Sequence, residues 1–491
     1  MSYTRKAVFG VGIIILLHLV AALFGYGFRF VLARNLTVEE YGLFYSVLAF
    51  FLLFSTIKDL GIGNALVITL PKLWLKKKWG SVKSCVLMTY GFKLVLGGVF
   101  ALLFWFLAPW LADNLFKTNE AAYLLRIMAV VFFLGVNEEI FISVFLGLQK
   151  YSHFACIELF KKIFLFAFLL VFLKYGLQAP AFAYLTTAIV LPFVLYALLR
   201  RTFPRIEAGA FSGPELKTLV LLGLPFVINT ATYSIVSYFD TLLLTSQRTL
   251  HEVGLYNVAL PTAMAVLYFL YAFDSVIQPL ASELYHAKKK NKLGLGLSLL
   301  HKYVFTGILL ICMLLVVYAG PLIHLLYGQA FLPAVNTLRM LMIGILCYSI
   351  TLMNLSVLSG IGQPKQVAKI QVYAAILNVV LNLILIPVWG MNGAALATVL
   401  SYFLALLLSF QQLGLYVALH VPWASWNKAL VLGIVIGAAA YGTQRILAWN
   451  VWLETLTTAL VSVALYVLLI FFTKTINWSE IKMLWKDLMQ R

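Results

Sequence analysis

From residue 8 to residue 473 the chain alternates between long apolar runs and short polar breaks. A helix needs about 20 apolar residues to cross a hydrocarbon core, where every backbone amide must be satisfied inside the segment. Runs of that kind lie near 8–33, 41–70, 83–112, 122–148, 154–174, 180–200, 216–240, 254–281, 301–327, 335–359, 366–388, 393–419, 427–447 and 451–473. The pattern predicts an all-α polytopic membrane protein of about fourteen transmembrane helices. The first run follows Arg5 and Lys6 as a signal peptide would. It has no small-residue cleavage site and continues to Arg29 and Arg34, so it is read as a retained helix. Beyond Asn477, Trp478, Ile481, Leu484, Trp485 and Leu488 share one helical face, with Lys482, Lys486 and Arg491 elsewhere. Residues 476–491 are therefore expected as an amphipathic tail on the inner leaflet.

Composition agrees with this reading: of 491 residues, 63% are hydrophobic and 11% charged, against about 45–50% and 25% in soluble domains. A net charge of +19 would suit a polyanion. The bases, however, form no basic module with interleaved aromatics, so nucleic acid is not an expected partner. They gather in alternate loops instead. One set holds Arg5 and Lys6; Lys72, Lys76, Lys77, Lys78 and Lys83; Lys150, Lys161 and Lys162; Arg200, Arg201, Arg205 and Lys217; Lys288 to Lys290, Lys292 and Lys302; Lys365, Lys369 and Lys428; and Lys474 onward. The opposite set is sparse. The positive-inside rule makes the rich side cytoplasmic, with both termini there and the protein multi-pass in the cell membrane. The four cysteines form no close-spaced pair and predict neither metal nor redox chemistry.

The chain also matches itself at a shift of about 212 residues, as duplicated transporters do. Glu40-Tyr41-Gly42-Leu43-Phe44 meets Glu252-Val253-Gly254-Leu255-Tyr256, and Lys76 to Lys78 meet Lys288 to Lys290. Pro109 meets Pro321, Leu125-Arg126-Ile127 meets Leu338-Arg339-Met340, Gly147 meets Gly360, and Gly176 meets Gly390, the last three with slight slippage. Six spans per copy return the chain to its starting side, so the copies are parallel. The expected organisation is a six-helix bundle over 1–205, a second over 206–420, two added helices over 421–475, and the tail. Two such bundles facing each other can alternate access to a site between them.

Ionisable groups inside spans cost about 2.5–3.5 kcal/mol each on insertion scales and usually face a partner or a watery cavity. Span 1 places His18, Ala22, Gly25 and Arg29 on one stripe, and span 7 does the same with Asn229, Tyr233, Ser237 and Asp240. Lys58 and Asp59 fall in span 2, Lys93 in span 3, and Glu138 and Glu139 in span 4. Asp274 aligns with Tyr271 and Gln278 in span 8; Asn378 and Asn382 align with Gln371 in span 11. Lys58 and Asp59 are adjacent and point about a quarter turn apart, which argues against a mutual ion pair, so at least one is expected to find a partner elsewhere. Of the two glutamates, one can pack as a neutral acid while the other faces Lys93 or a cavity. Arg126 and Arg339 sit near helix ends and suit snorkelling. His18 by itself reads as a packed histidine. The span 11 asparagines read equally as interhelical hydrogen-bond glue or as cavity lining.

The segment Leu32-Ala33-Arg34-Asn35-Leu36, then Glu40-Tyr41-Gly42-Leu43-Phe44, then Asp59-Leu60-Gly61-Ile62 resembles the start of the Wzx-type polysaccharide-biosynthesis flippases. These belong to the multidrug/oligosaccharidyl-lipid/polysaccharide exporter superfamily. Gly360-Ile361-Gly362-Gln363-Pro364-Lys365 is similar as well, and the likeness covers roughly residues 1–420. The resemblance implies a flippase, not an enzyme, that moves a polyisoprenoid-pyrophosphate-linked saccharide to the outer leaflet through a cationic cavity. Its partners would be that lipid, the surrounding membrane lipids and other polysaccharide-assembly proteins of the membrane.

For such cargo Arg29, Lys58 and Lys93 are the expected cations, with His18, Asn229, Asn378 and Asn382 as further binding candidates. Asp59, Glu138, Asp240 and Asp274 are the carboxylates able to carry a coupling proton or sodium ion; no other cofactor is expected. A cation-coupled exporter of small amphipathic compounds would use those acids instead of the bases. A membrane saccharide polymerase or ligase ranks below both, because the outer loops are about a dozen residues or fewer, near ordinary connection lengths.

Overall fold

In the computed structural model the backbone is described for residues 3–202, 213–446, 451–473 and 475. The side chains of Asn229 and Asp274, and the expected tail, lie outside the described residues. The longer helices are α1 (Tyr3–Asn35), α2 (Val38–Asp59), α3 (Ile62–Leu75), α4 (Trp79–Leu111), α5 (Glu120–Gly147), α6 (Tyr151–Phe172), α7 (Ala179–Thr202) and α8 (Gly213–Gln247), then α9 (Leu250–Met264), α10 (Tyr268–His286), α11 (Lys290–Val317), α12 (Ala319–Leu326), α13 (Val335–Gly360), α14 (Pro364–Gly414), α15 (Trp423–Ile446) and α16 (Val451–Phe472).

Among the described residues all fourteen expected spans are essentially helical, with four differences of detail; one is that span 9 is divided at Tyr318 into α11 and α12. Span 2 is divided into α2 and α3, span 8 into α9 and α10, and spans 11 and 12 run together as the bent α14. Nine stretches of the described residues are long and apolar enough to cross a membrane by length and composition. Glu158, Lys161 and Lys162 keep α6 out of that set, three charges within one span. The chain is a multi-pass membrane protein.

The turns carry the duplication seen in the sequence. Left-handed backbone recurs at Lys77 and Lys288, at Lys117 and Gly328, and at Gln149 and Gly362. Gly176 (φ 56°, ψ −126°) and Gly390 (φ 55°, ψ −132°) adopt nearly one conformation. Each pair lies about 212 residues apart, as repeated supersecondary units require. Such a φ/ψ region is essentially reserved for glycine.

The described residues form two compact units, Met1–Gly254 and Leu255–Arg491. In the first, α1 packs on α6, α4 on α5, α6 on α7, and α8 on α2 and α3. The duplicated Glu-Tyr-Gly segment shows why it is built as it is. Thr37 caps α2 by accepting from the Glu40 N–H at 3.2 Å, while Glu40 returns a carboxylate to the Thr37 N–H at 2.8 Å. That reciprocal box satisfies two orphan donors at once. Tyr41 is fully buried. A Cβ on Gly42 would collide with the Leu250 carbonyl, and one on Gly254 with the Val38 carbonyl, so only glycine permits these crossings.

The break between α2 and α3 is equally local. Leu60 (φ 44°) and Gly61 (φ 70°) are left-handed in succession, and the Gly61 backbone lies directly against Gly223 of α8. In the second unit Leu293, Leu297, Leu355, Leu358, Ile370 and Leu413 form the core between α10, α11, α13 and α14. The added helices dock on α11. Trp426 stacks on Phe305 with ring centroids 4.5 Å apart and donates to the His301 carbonyl at 3.2 Å, and Tyr466 donates to the Thr306 carbonyl at 3.2 Å.

Candidate functional site

In the first unit a cluster of charged side chains lies where α2, α4 and α5 meet. Lys58 is 2% exposed and Lys93 1%. A lysine so placed needs a carboxylate and further hydrogen bonds to offset its desolvation. Glu139 supplies the carboxylate to both: Oε1 lies 2.7 Å from Lys58 Nζ and Oε2 lies 3.3 Å from Lys93 Nζ. Lys93 also pairs with Asp59. Lys58 donates to the Phe132 carbonyl at 3.0 Å, and its ammonium sits 4.2 Å from the centre of the Phe132 ring. Lys58 and Asp59 do not pair with each other: Lys58 faces Glu139 and Asp59 faces Lys93.

Missing Cβ atoms make room for this cluster. A Cβ on Gly63 would come within 2.9 Å of Asp59 Oδ1 and 3.1 Å of Lys93 Nζ, and one on Gly97 within 3.4 Å of the Lys58 stem. Two cavities flank Glu139. One, of about 340 Å³, is lined by Asp59, Lys93 and Glu139 with Ser55, Thr56, Asn64, Ser143, Thr230, Tyr233, Ser234 and Tyr238. The other, of about 150 Å³, is lined by Lys58, Glu138, Glu139, Lys161 and Tyr184 among apolar residues. The α8 face turned to the larger cavity is Thr230, Tyr233, Ser234 and Tyr238. Asp240 is buried elsewhere on that helix.

Glu138 is not a neutral packing acid: its Oε1 accepts from Lys161 at 2.7 Å. That pair corrects the sequence reading of Lys161 and Lys162 as cytoplasmic-loop cations, because both lie well inside α6. The signal was present, since the apolar run 154–174 already contains them. Lys302 is corrected in the same way; it is buried in α11 with its ammonium over Tyr303.

The stripe on α1 faces α6 as its spacing implies. His18 meets Phe154 ring to ring at 5.8 Å, a packed histidine, and Gly25 lies beside Lys162. Arg29 places its guanidinium 4.4 Å from the centre of the Tyr45 ring. Asn382 donates to Asn378 at 3.1 Å along α14, in the second unit. Arg339 donates to the Val316 carbonyl at 3.0 Å, and the Arg126 guanidinium lies 6.0 Å from the centre of the Trp105 ring.

The first unit of this internally duplicated, polytopic helical protein thus holds ion-paired charge around two cavities. The chain belongs to the family described as Polysaccharide biosynthesis protein, whose profile matches residues 7–285; the MatE profile matches residues 225–384. It is 26% identical over 98% of its length to an uncharacterized membrane protein of Methanocaldococcus jannaschii, covering 98% of that protein. It is 25% identical over 46% of its length to the probable low-salt glycan biosynthesis flippase Agl15 of Haloferax volcanii, covering 49% of it. Among solved structures, the lipid II flippase MurJ in an inward closed conformation superposes with a TM-score of 0.73 at 16% identity, covering 92% of this chain and 97% of that one. An inward-facing multidrug resistance MATE family transporter superposes at 0.70 and 15%, covering 80% and 94%. The fold is that of the multidrug/oligosaccharidyl-lipid/polysaccharide exporter superfamily. The chain is a flippase or transporter of that superfamily and not an enzyme.

Proposed function

We propose that this protein moves a polyisoprenoid-(pyro)phosphate-linked saccharide from the cytoplasmic to the outer leaflet by alternating access. The observation that carries the reading is the fully buried Lys93 reaching, with Asp59 and Glu139, into a cavity of about 340 Å³ lined by hydroxyls and tyrosines. An anionic sugar lipid needs cations and hydrogen-bonding groups at membrane depth, and a pocket of this size lies in the range that holds a ligand. Arg29, Lys58 and Lys93 are the cations proposed to meet the headgroup. The cytoplasmic placement of both termini follows from loop charge, and with the cytoplasm negative, outward movement of an anion gains about 2.3 kcal/mol per charge per 100 mV.

The test is translocation of a lectin-detected lipid-linked oligosaccharide in proteoliposomes. Replacing Arg29, Lys58 and Lys93 together by glutamine is expected to abolish it. Undiminished translocation by the folded triple variant would overturn the assignment.

A second reading, a cation-coupled exporter of small amphipathic compounds, is favoured by the partial exposure of Asp59 and Glu139 to the cavity, 22% and 30% by side chain. Efflux of cationic dyes that is lost in Asp59→Asn, with no translocation of the sugar lipid, would favour it.

A further inference from the structure

The turns that lead into α4 and α11 are built alike. Lys77 donates its backbone N–H to the Trp74 carbonyl at 3.0 Å and Lys78 to that of Leu73 at 3.1 Å; Lys288 donates to Tyr285 at 3.0 Å and Lys289 to Leu284 at 3.0 Å. Each turn closes on a left-handed lysine, Lys77 (φ 54°) and Lys288 (φ 59°). Helices usually end there on glycine, which has no Cβ to strain. The turn itself gains nothing from lysine. What the substitution adds, in both copies, is an exposed ammonium group.

The charge of the second turn has no carboxylate to meet. Lys288, Lys289, Lys290, Asn291 and Lys292 line an open hollow of about 490 Å³, and residues 284–453 contain neither aspartate nor glutamate. The helices that follow, α11 to α15, therefore bring it no acid, and Glu283, the acid preceding it, lies outside the lining. The Lys290 ammonium sits 5.0 Å from the centre of the Tyr285 ring, which steadies the side chain and leaves its charge intact. Residues 60–112, around the first turn, are likewise free of acids.

The surroundings are those of a membrane surface. Each turn leads directly into a membrane-spanning stretch, Trp79–Phe116 or Lys290–Val317. Only Ala287 to Lys289 separate α10 from α11, so the lysines are kept at the bilayer face. Tyr285 beside the second turn, and Trp74 and Trp79 packed edge to face at 4.4 Å beside the first, are residue types that settle at headgroup level. Leu295 is 62% exposed and Leu75 82%. Apolar side chains next to ammonium groups suit lipid more than a soluble acidic partner.

We infer that the α10–α11 turn is a docking site for an anionic phospholipid, whose phosphate is held by Lys288, Lys289, Lys290 and Lys292 and whose acyl chain lies beside Leu295. Ammonium groups make short, charge-assisted bonds to phosphate oxygens, and basic segments next to a span draw anionic lipid from the surrounding leaflet. The α3–α4 turn is its counterpart in the first unit. The inference does not rest on the proposed cargo, because lipid association is measured with no cargo present.

The experiment uses the full chain in phosphatidylcholine nanodiscs with a trace of spin-labelled phosphatidylglycerol or, in parallel, spin-labelled phosphatidylcholine. The motionally restricted fraction of each label is read. Wild type is expected to favour phosphatidylglycerol about threefold or more, a preference that shrinks as added salt screens it. The triple variant Lys288→Gln/Lys289→Gln/Lys290→Gln should lose about half of that preference or more. Lys365→Gln/Lys369→Gln/Lys428→Gln removes the same charge from scattered positions and should keep it; thermal unfolding checks that both variants fold. No preference in wild type, or an equal loss in the two triple variants, overturns the site. Binding of soluble polyglutamate through Lys288 to Lys290, with no preference for phosphatidylglycerol, would assign an acidic protein partner and overturn it as well. Loss of sugar-lipid translocation with the lipid preference intact would count against the flippase reading alone.

Discussion

Removing the Lys58 ammonium tests the charge cluster most directly. In Lys58→Met the stem volume is nearly kept, and three contacts are lost: Glu139 at 2.7 Å, the Phe132 carbonyl at 3.0 Å and the Phe132 ring face. Breaking a buried ion pair typically costs about 3–5 kcal/mol, because the remaining charge stays buried. Here Glu139 keeps Lys93 at 3.3 Å and its side chain is 30% exposed, so the low end of that range applies, about 3 kcal/mol. The double variant Lys58→Met/Glu139→Gln removes the stranded charge. It should cost less than the two single changes together, giving a coupling energy of about 1–2 kcal/mol in the cycle. Reversible unfolding in mixed micelles, read by tryptophan fluorescence, measures both variants and Glu139→Gln alone. A single variant within about 0.5 kcal/mol of wild type, the scatter of ordinary surface changes, would refute the account of Lys58 as a paired buried charge.

Gly63→Ala should fold, yet push Asp59 and Lys93 apart, because its Cβ would lie 2.9–3.1 Å from their polar atoms; transport falling more than thermal stability is the expected result. Gly176→Ala and Gly390→Ala should each lower stability by about 1–3 kcal/mol through backbone strain, by similar amounts because the two glycines share one φ/ψ region; a shift in melting temperature in detergent reads it. Asn354→Ala should cost about 1–3 kcal/mol, since Asn354 joins His301 at 2.7 Å to Ser409 at 2.9 Å in a buried chain under Trp426; a loss within error would remove that network from the account of how α15 is held.

Much of the family likeness in the sequence turns out to be structural. Glu40 closes a capping box, Gly42 admits a helix crossing, and Gly61 turns the chain left-handed against Gly223. None of these residues lines the charge cluster, so recognising them locates the fold and says little about the site. The ionisable residues themselves were legible, because a charge inside an apolar run stands out in any sequence. Lys161 and Lys162 escaped because they were counted with the cytoplasmic loop preceding them.

The sequence by itself determined the number of spans, the duplication and the charge-rich side, since each depends on local run length, local periodicity or loop composition. The bilayer imposes those requirements one segment at a time. Partnership was decided only by tertiary structure. Nothing in spacing distinguishes Glu138 from Glu139, yet a rotation of about 100° along one helix sends the first to Lys161 on α6 and the second to Lys58 and Lys93 on α2 and α4. Which carboxylate each of these lysines meets follows from how those helices pack.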